Sequence, residues 1–250
     1  MRHYGHPFAV AAVWSAMGCG AAPMDAIGLP ADQLGSGLLA HWALDDGAGT
    51  VARDRSGNGH DGQVTGGTWI TDARFAGGLR LAAGDAVAVP DFPTPTPNWT
   101  VSTWIRLSTG QLAMDRDSWV SILSVENYFQ GGWQLNIDNR LSQPRFDLAY
   151  WVPPLSAYLF VECECVDVGS WIHLAAVVDA EVNRVTLYVG GTIGDQQTRP
   201  SDIPPGDSTL YMGRWNANGR LLSGDLDDIA IWSRALTSDE IALLLSQSPP

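Results

Sequence analysis

Between Asp54 and His60 the chain reads Asp-Arg-Ser-Gly-Asn-Gly-His, a short loop dense in oxygen donors. Calcium takes about six to eight oxygens from carboxylates, amide carbonyls and main-chain carbonyls. Glycines let a backbone curl until several carbonyls converge, and Gly57 and Gly59 stand where that curl is needed. The plainer alternative is that Asp54 and Asn58 only form turns, their side chains bonding nearby backbone.

Two further groups could do chemistry. Residues 161–167 read Val-Glu-Cys-Glu-Cys-Val-Asp. On a strand Glu162 and Glu164 share one face, but no third acid follows in register. Cys163 and Cys165 are expected to form a disulfide if the chain is exported. In a regular strand their Cβ atoms would stand about 6–7 Å apart, too far for a bridge, so the pairing needs a local kink. Two free buried thiols, or pairing with another chain, are the alternatives. The other group is aromatic: the chain holds 11 Trp. Trp151 precedes Val-Pro-Pro, and Trp215 sits in Arg-Trp-Asn-Ala-Asn-Gly-Arg beside Asn216 and Asn218. Tryptophan with amide neighbours is a sugar-contact pattern. Most Trp must nevertheless be core, and Trp42, Trp104, Trp171 and Trp232, all on strand patterns, are assigned there. His173 lies in an alternating strand and is expected to be packed. There is no Gly-x-Ser-x-Gly and no His-Glu-x-x-His.

Composition narrows the function classes. All 14 basic residues are Arg, against 27 acids, for a net charge of −13 over 250 residues. Phosphate recognition needs a basic face, so nucleic acid and anionic membrane surfaces are excluded as partners. Clustered carboxylates suit a hard cation.

The N-terminus reads as an address. An apolar run from Phe8 to Met17 is too short to span a bilayer and suits a signal peptide over residues 1–18. Ala16-Met17-Gly18-Cys19 resembles a lipoprotein cleavage site, with Cys19 as the lipidated residue; ordinary signal cleavage is the alternative. Residues 19–36 read as a flexible tether.

From Gly37 onward the pattern is strand after strand. Trp99–Ser108 alternates, with Val101, Thr103, Ile105 and Leu107 on one face. Trp171–Asp179 and Arg184–Val189 form a hairpin pattern across residues 180–183. Runs at 38–44, 119–124, 133–138, 145–151, 209–214 and 225–232 complete an antiparallel sandwich or barrel. One helix closes the chain. Thr237-Ser238-Asp239-Glu240 is a capping box with Thr237 as N-cap, followed by an apolar stripe from Ile241 to Leu245.

Several runs together resemble the laminin G type 3 (LamG-like jellyroll) family of the concanavalin A-like lectin/glucanase superfamily. They are His41-Trp42-Ala43-Leu44-Asp45, Gly49 to Gly62, Gly77 to Leu81, Trp171 to Leu174, Val185 to Gly191 and Gly224 to Thr237. The resemblance implies an all-β fold over residues 37–248: a two-sheet antiparallel jellyroll sandwich with one short C-terminal helix, first and last strands adjacent. It implies a structural calcium ion held by Asp54, Asn58 and the carbonyls of Ser56 and His60, closed by Asp227 or Asp228. Glucanases of this superfamily carry Glu-x-Asp-x-x-Glu on one strand, which this chain lacks, so a non-catalytic module is expected. Its expected ligand is a carbohydrate or an extracellular protein, contacted through Trp151, Trp215, Asn216 and Asn218. A divergent glycosidase or lyase, and a structural envelope protein, are the alternatives.

Overall fold

A computed structural model describes residues 31–93, 97–114, 118–125, 131–140, 142–199, 202–206, 209–216 and 219–250. The signal segment, Cys19 and Asn218 lie outside them. Sixteen strands occur among the described residues: β1 (Leu38–Trp42), β2 (Val51–Ala52), β3 (Gly62–Thr65), β4 (Thr68–Ile70), β5 (Gly78–Leu81), β6 (Ala86–Val89), β7 (Trp99–Leu107), β8 (Trp119–Ser124), β9 (Trp133–Asp138), β10 (Arg145–Val152), β11 (Ala157–Cys163), β12 (Trp171–Asp179), β13 (Arg184–Val189), β14 (Thr192–Thr198), β15 (Leu210–Met212) and β16 (Gly224–Trp232). Two short α-helices accompany them, α1 (Gln111–Met114) and α2 (Ser238–Leu243).

The strands form two antiparallel sheets. One runs β14-β13-β12-β7-β16-β5-β4, with β1 on β16; the other runs β11-β10-β9-β8-β15-β6-β3-β2. The first and last strands are neighbours as expected, Trp42 opposite Ile229 and His41 opposite Ala230. Side-chain alternation builds the sandwich. On β7, Val101, Ile105 and Leu107 enter the main core; on β9 and β10 so do Leu135, Ile137, Phe146, Leu148 and Tyr150.

β12 explains why some strands are apolar on both sides. Leu174, Ala176 and Val178 face the main core, whereas Ala175 and Val177 face a second cluster with Leu34, Trp232, Leu236, Ile241 and Leu244. That cluster is the cap which α2 and the N-terminal turn lay over the outer face of the first sheet. Each large apolar side chain buried there contributes about 1.5–3 kcal/mol. α2 starts where the sequence says: Thr237 accepts from the Glu240 N–H, and the Glu240 carboxylate accepts from the Thr237 N–H.

Three boundaries differ from the sequence reading. The ordered domain begins at least as early as a 3-10 turn at Ala31–Gly35, because Leu34 is fully buried and its carbonyl accepts from Trp232 Nε1 at 2.7 Å. The tether of 19–36 therefore loses its last residues to the fold. At the other end the Pro250 carbonyl lies 3.4 Å from His41 Nδ1, so the domain extends beyond 248. Short strands β2 to β6 fill the region 51–89, where the sequence offered motifs but no long alternation. The turn between β13 and β14 places Gly190 and Gly191 at φ of 58° and 76°, a conformation that favours glycine.

Cys163 and Cys165 are bridged, with Cα atoms 5.4 Å apart. β11 ends at Cys163, which supplies the departure from regular strand geometry that the pairing needs.

Candidate functional site

The expected calcium ligands come first, and the structure does not gather them. Asp54 Oδ1 accepts from the backbone N–H of His41 and Ser56, and Oδ2 from that of His60, each at 2.9 Å. Burial alone would push this carboxyl up; the three N–H groups outweigh it and hold it below its ordinary value. The Ser56 hydroxyl donates to the Leu39 carbonyl, and Asn58 Nδ2 to the carbonyls of Leu38 and Leu39. The His60 carbonyl accepts from Trp42 Nε1 at 2.7 Å. The loop is thus a brace on β1.

Asp227 and Asp228 serve other partners. Asp227 Oδ2 accepts from the N–H groups of Arg74 and Phe75, and burial pushes this carboxyl up to about 7. Asp228 accepts from Ser248 and pairs with His41 Nε2 at 2.9 Å, holding the C-terminal tail to β1. Among the described residues no three His, Cys, Asp or Glu are disposed to hold a metal ion. Asp54, Ser56, Asn58, Asp228 and the His60 carbonyl all have protein hydrogen-bond partners, whereas Asp227 Oδ1 is buried without one.

Polar and aromatic groups do converge elsewhere, on the outer face of the second sheet. Residues that alternate with its core positions line up across four strands. Ser121 on β8, Asn136 on β9, Asp147 on β10 and Glu162 on β11 form one cross-strand row. Ser124, Gln134, Ala149 and Phe160 form the next, and Trp151 faces Tyr158 beyond them.

Trp119 and Phe160 roof these rows. Their strands are separated by β9 and β10, about 14 Å of backbone at ~4.8 Å per strand. Yet the rings lie parallel within 11°, with centroids 6.2 Å apart, so both side chains lean across the face. Beneath them is a cavity of about 160 Å³. Gln134, Asn136 and Ala149 form its floor, and Trp119, Tyr158 and Phe160 its walls, with Arg220 at the rim. Ala149, the smallest side chain in its row, leaves the hollow.

Arg220 is held with care. Its φ is 57°, left-handed for a non-glycine residue, and its carbonyl accepts from the Ser121 N–H at 2.8 Å. The guanidinium lies 4.7 Å from the Trp119 ring and 4.6 Å from the Trp215 ring, and donates to Gln134 Oε1. Arg140 stacks on Trp119 at 3.5 Å while gripping Asp138 with two hydrogen bonds.

Asn136 of the floor belongs to a row of buried, incompletely bonded polar groups. Asp147 is 0% exposed; Asn136 Nδ2 donates to its Oδ1 at 3.2 Å, and its Oδ2 has no partner. Burial is the largest influence on this carboxyl and pushes it up to about 8; the Asn136 bond opposes that, and the charges of Asp138 and Glu162 reinforce it. Asn136 Oδ1, Ser121 Oγ and Trp119 Nε1 are also buried without a partner.

Of the expected ligand contacts, Trp151 is on this face but packed edge-on against Tyr158 at 5.2 Å. Trp215 reaches the cavity only through Arg220, and Asn216 lies in the same loop.

Comparison with known proteins gives the family. A profile of Laminin_G_3, concanavalin A-like lectin/glucanases superfamily, matches residues 81–242, more than half of the chain. The chain belongs to this family. No curated protein sequence matches it. Solved structures similar to this laminin G type 3 domain include the botulinum neurotoxin serotype D binding domain, at 16% identity and TM-score 0.65, with 85% of this chain and 52% of that one covered. The binding domain of Paraclostridial Mosquitocidal Protein 1 is similar at 18% identity and TM-score 0.67, covering 85% and 52%. Domain 4 of AbnA, a GH43 extracellular arabinanase from Geobacillus stearothermophilus, in complex with arabinotriose, is similar at 20% identity and TM-score 0.64, covering 84% and 98%. The domain thus spans about half the length of the two toxin chains. At these identities the likeness shows the jellyroll fold.

A larger hollow of about 520 Å³ lies at the first sheet of this laminin G type 3 domain. Its charges are already paired: Asp225 joins Arg80 at 2.7 Å and Arg106 at 2.8 Å, and Arg106 joins Asp72. Trp171, assigned to the core from sequence, is only half-buried here, under the Arg106 guanidinium at 4.8 Å. Trp42 and Trp232 are fully buried and Trp104 nearly so, as expected. His173 is fully buried, its Nε2 2.8 Å from Ser102 Oγ, and burial pushes it down to about 3.

The sequence reading missed Trp119, Gln134, Asn136, Asp147, Tyr158 and Phe160 as a group. A signal was available. In Trp133–Asp138 the polar residues Gln134, Asn136 and Asp138 alternate with Leu135 and Ile137, a polar stripe on one strand face. No described helix is long and apolar enough to cross a membrane.

Proposed function

We propose that this chain is a non-catalytic carbohydrate-binding module whose ligand docks on the outer face of the second sheet, at the cavity between Trp119, Tyr158 and Phe160. The observation that carries the reading is the roofed cavity itself, with aromatic walls over a buried polar floor. Sugars present an apolar ring face to aromatics and a hydroxyl edge to amides and carboxyls. The arabinotriose-bound arabinanase domain has the same fold and nearly the same length, which supports sugar as the ligand class.

A hydrolytic reading needs two presented carboxyls. Asp147 and Glu162 stand opposite each other across β10 and β11, but Asp147 is fully buried, Arg145 holds Glu162 at 2.7 Å, and neither lines the cavity. Binding is therefore the reading adopted. Export, with a lipid on Cys19, completes the proposal; metabolic labelling with palmitate, lost in Cys19→Ala, is its test.

The test of binding is a glycan array probed with the full chain, in calcium and again in EDTA. Saturable binding that survives EDTA and falls at least ~10-fold in Trp119→Ala is expected, the scale of one well-placed stacking contact. A folded protein that binds no glycan overturns the reading and leaves a protein partner. Binding lost in Trp171→Ala and kept in Trp119→Ala moves the site to the other sheet.

A further inference from the structure

We infer that this domain carries a second ligand site, at the open end of the first sheet, where Arg80 and Arg106 take the carboxylate of a uronate-bearing saccharide. That the ligand is a saccharide rests on the reading above; the site itself does not. The apolar cap stops short of the last cross-strand row on this outer face. There Trp171 on β12 stands opposite Arg106 on β7, Arg106 opposite Asp225 on β16, and Asp225 opposite Arg80 on β5. Arg80, Arg106, Asp225, Asp72, Ser108 and Ser223 all line the hollow of about 520 Å³. That volume lies within the range of small-ligand clefts, about 300–1,000 Å³. Arg80 and Asp72 are exposed, so a guest reaches them directly from solvent.

The charges in the row are unequal. Asp225, 4% exposed, accepts from Arg80 Nε and Nη2 at 2.7 and 3.0 Å and from Arg106 Nε at 2.8 Å. Two guanidinia thus share one buried carboxylate. Arg53, Arg140, Arg145, Arg199 and Arg234 each have at least one acid to themselves. The missing negative charge comes from Asp72, whose side chain is 89% exposed and meets Arg106 Nη1 at 3.1 Å. Its charge also reaches Arg80. The Asp225 hydrogen bond is the largest influence holding the Arg80 guanidinium above its ordinary value, and Asp72 adds to it. An ion pair so exposed is worth little, so a guest carboxylate displaces it at small cost. The Asp72 carboxylate marks the place that guest takes.

The chemistry of the lining narrows the guest. A guanidinium matches a planar carboxylate edge to edge. Arg80 spends Nε and Nη2 on Asp225, which leaves Nη1 to donate. Trp171 backs the Arg106 guanidinium at 4.8 Å without lining the hollow itself. A cation would meet two arginines, and one surplus positive charge calls for one negative charge. The hydroxyls of Ser108 and Ser223, 3.1 Å apart, can each give or take a hydrogen bond, which suits the hydroxyls beside a uronate carboxylate.

The experiment titrates the full chain calorimetrically with tri-galacturonate, with the neutral trisaccharide of the same linkage, with its sulfated counterpart and with a triglutamate peptide. Tri-galacturonate binding is expected to weaken ~10-fold or more in Arg80→Gln, the scale of a charge-assisted hydrogen bond. It should strengthen ~3-fold in Asp72→Asn, which removes the internal competitor, and stay unchanged in Trp119→Ala. Because Asp72 is so exposed, Asp72→Asn keeps the test alive if Arg80→Gln fails to fold. Tri-galacturonate bound equally by wild type and both variants overturns the inference. So does a neutral trisaccharide that loses as much in Arg80→Gln, or a sulfated chain or peptide held more tightly through Arg80. Binding weakened by Trp119→Ala and not by Arg80→Gln overturns it too, and leaves the sugar-binding reading at the second sheet standing. No saccharide bound by folded wild type overturns both.

Discussion

The two sheets treat their outer faces in opposite ways. The first sheet lays its outer face under an apolar cap of Leu34, Trp232, Leu236, Ile241 and Leu244. The second roofs its outer face with Trp119 and Phe160 and leaves Ser121, Asn136 and Asp147 bonded incompletely beneath. Unpartnered buried atoms occur on the first sheet too, at His173 Nδ1 and Asp227 Oδ1; of these five residues Asn136 alone lines the cavity. The difference separates stability from recognition. Apolar burial is favourable by itself, whereas a buried unmet polar atom costs about 1–3 kcal/mol until something bonds it.

That contrast can be broken first at the cap. Trp232 is fully buried with its indole N–H on the Leu34 carbonyl. Trp232→Ala should cost about 3–5 kcal/mol in urea unfolding and leave sugar affinity unchanged in the folded fraction. A loss of affinity with little loss of stability would reverse the roles of the two faces.

Asp147→Asn is the converse and tests the second face. A carboxyl raised to about 8 in the fold keeps its proton there, while the unfolded chain loses it near pH 4. Between those values the folded state binds more protons, so wild-type stability falls as pH rises, by up to about 1.4 kcal/mol per pH unit. The amide removes that slope. Asp147→Asn should gain about 2 kcal/mol over wild type at pH 8 and nothing at pH 4, measured by unfolding at both pH values. Equal stability at pH 8 would mean that Asp147 is solvated and the roof open.

A smaller effect sharpens the account of the cap. Thr237→Ala removes one half of the capping box and should cost about 1 kcal/mol, because α2 is short and its packing depends on its start. The smallest effect concerns the Asp54 loop. With its carboxylate met by three N–H groups, EDTA should move Tm by less than about 1 °C by calorimetry. A large drop would restore calcium as the brace.

Sequence carried the long elements well. The alternation of Trp99–Leu107, the hairpin of β12 and β13 and the capping box at Thr237 depend on local spacing, and local spacing is what a sequence displays. It carried the short strands β2 to β6 poorly, because two to four residues cannot establish a period. For the site, the Trp215 loop drew attention in the sequence, and its ring stacks on Arg220 without lining the cavity. Asp147 was not: one acid inside Phe-Asp-Leu-Ala-Tyr-Trp gives no sign of which residues stand beside it.

What the sequence determined by itself is the composition of each face, since every second residue of a strand shares a side. It also determined the acidic balance. The tertiary structure alone decided which strands became neighbours. Register across β8, β9, β10 and β11 aligned Ser121, Asn136, Asp147 and Glu162, although 41 residues separate the first from the last. Register also let Trp119 reach Phe160. The same packing bound Asp54 to the backbone N–H groups of His41, Ser56 and His60. Hydrogen bonds and contacts between distant segments depend on three-dimensional pairing, and no spacing along the chain encodes that pairing directly.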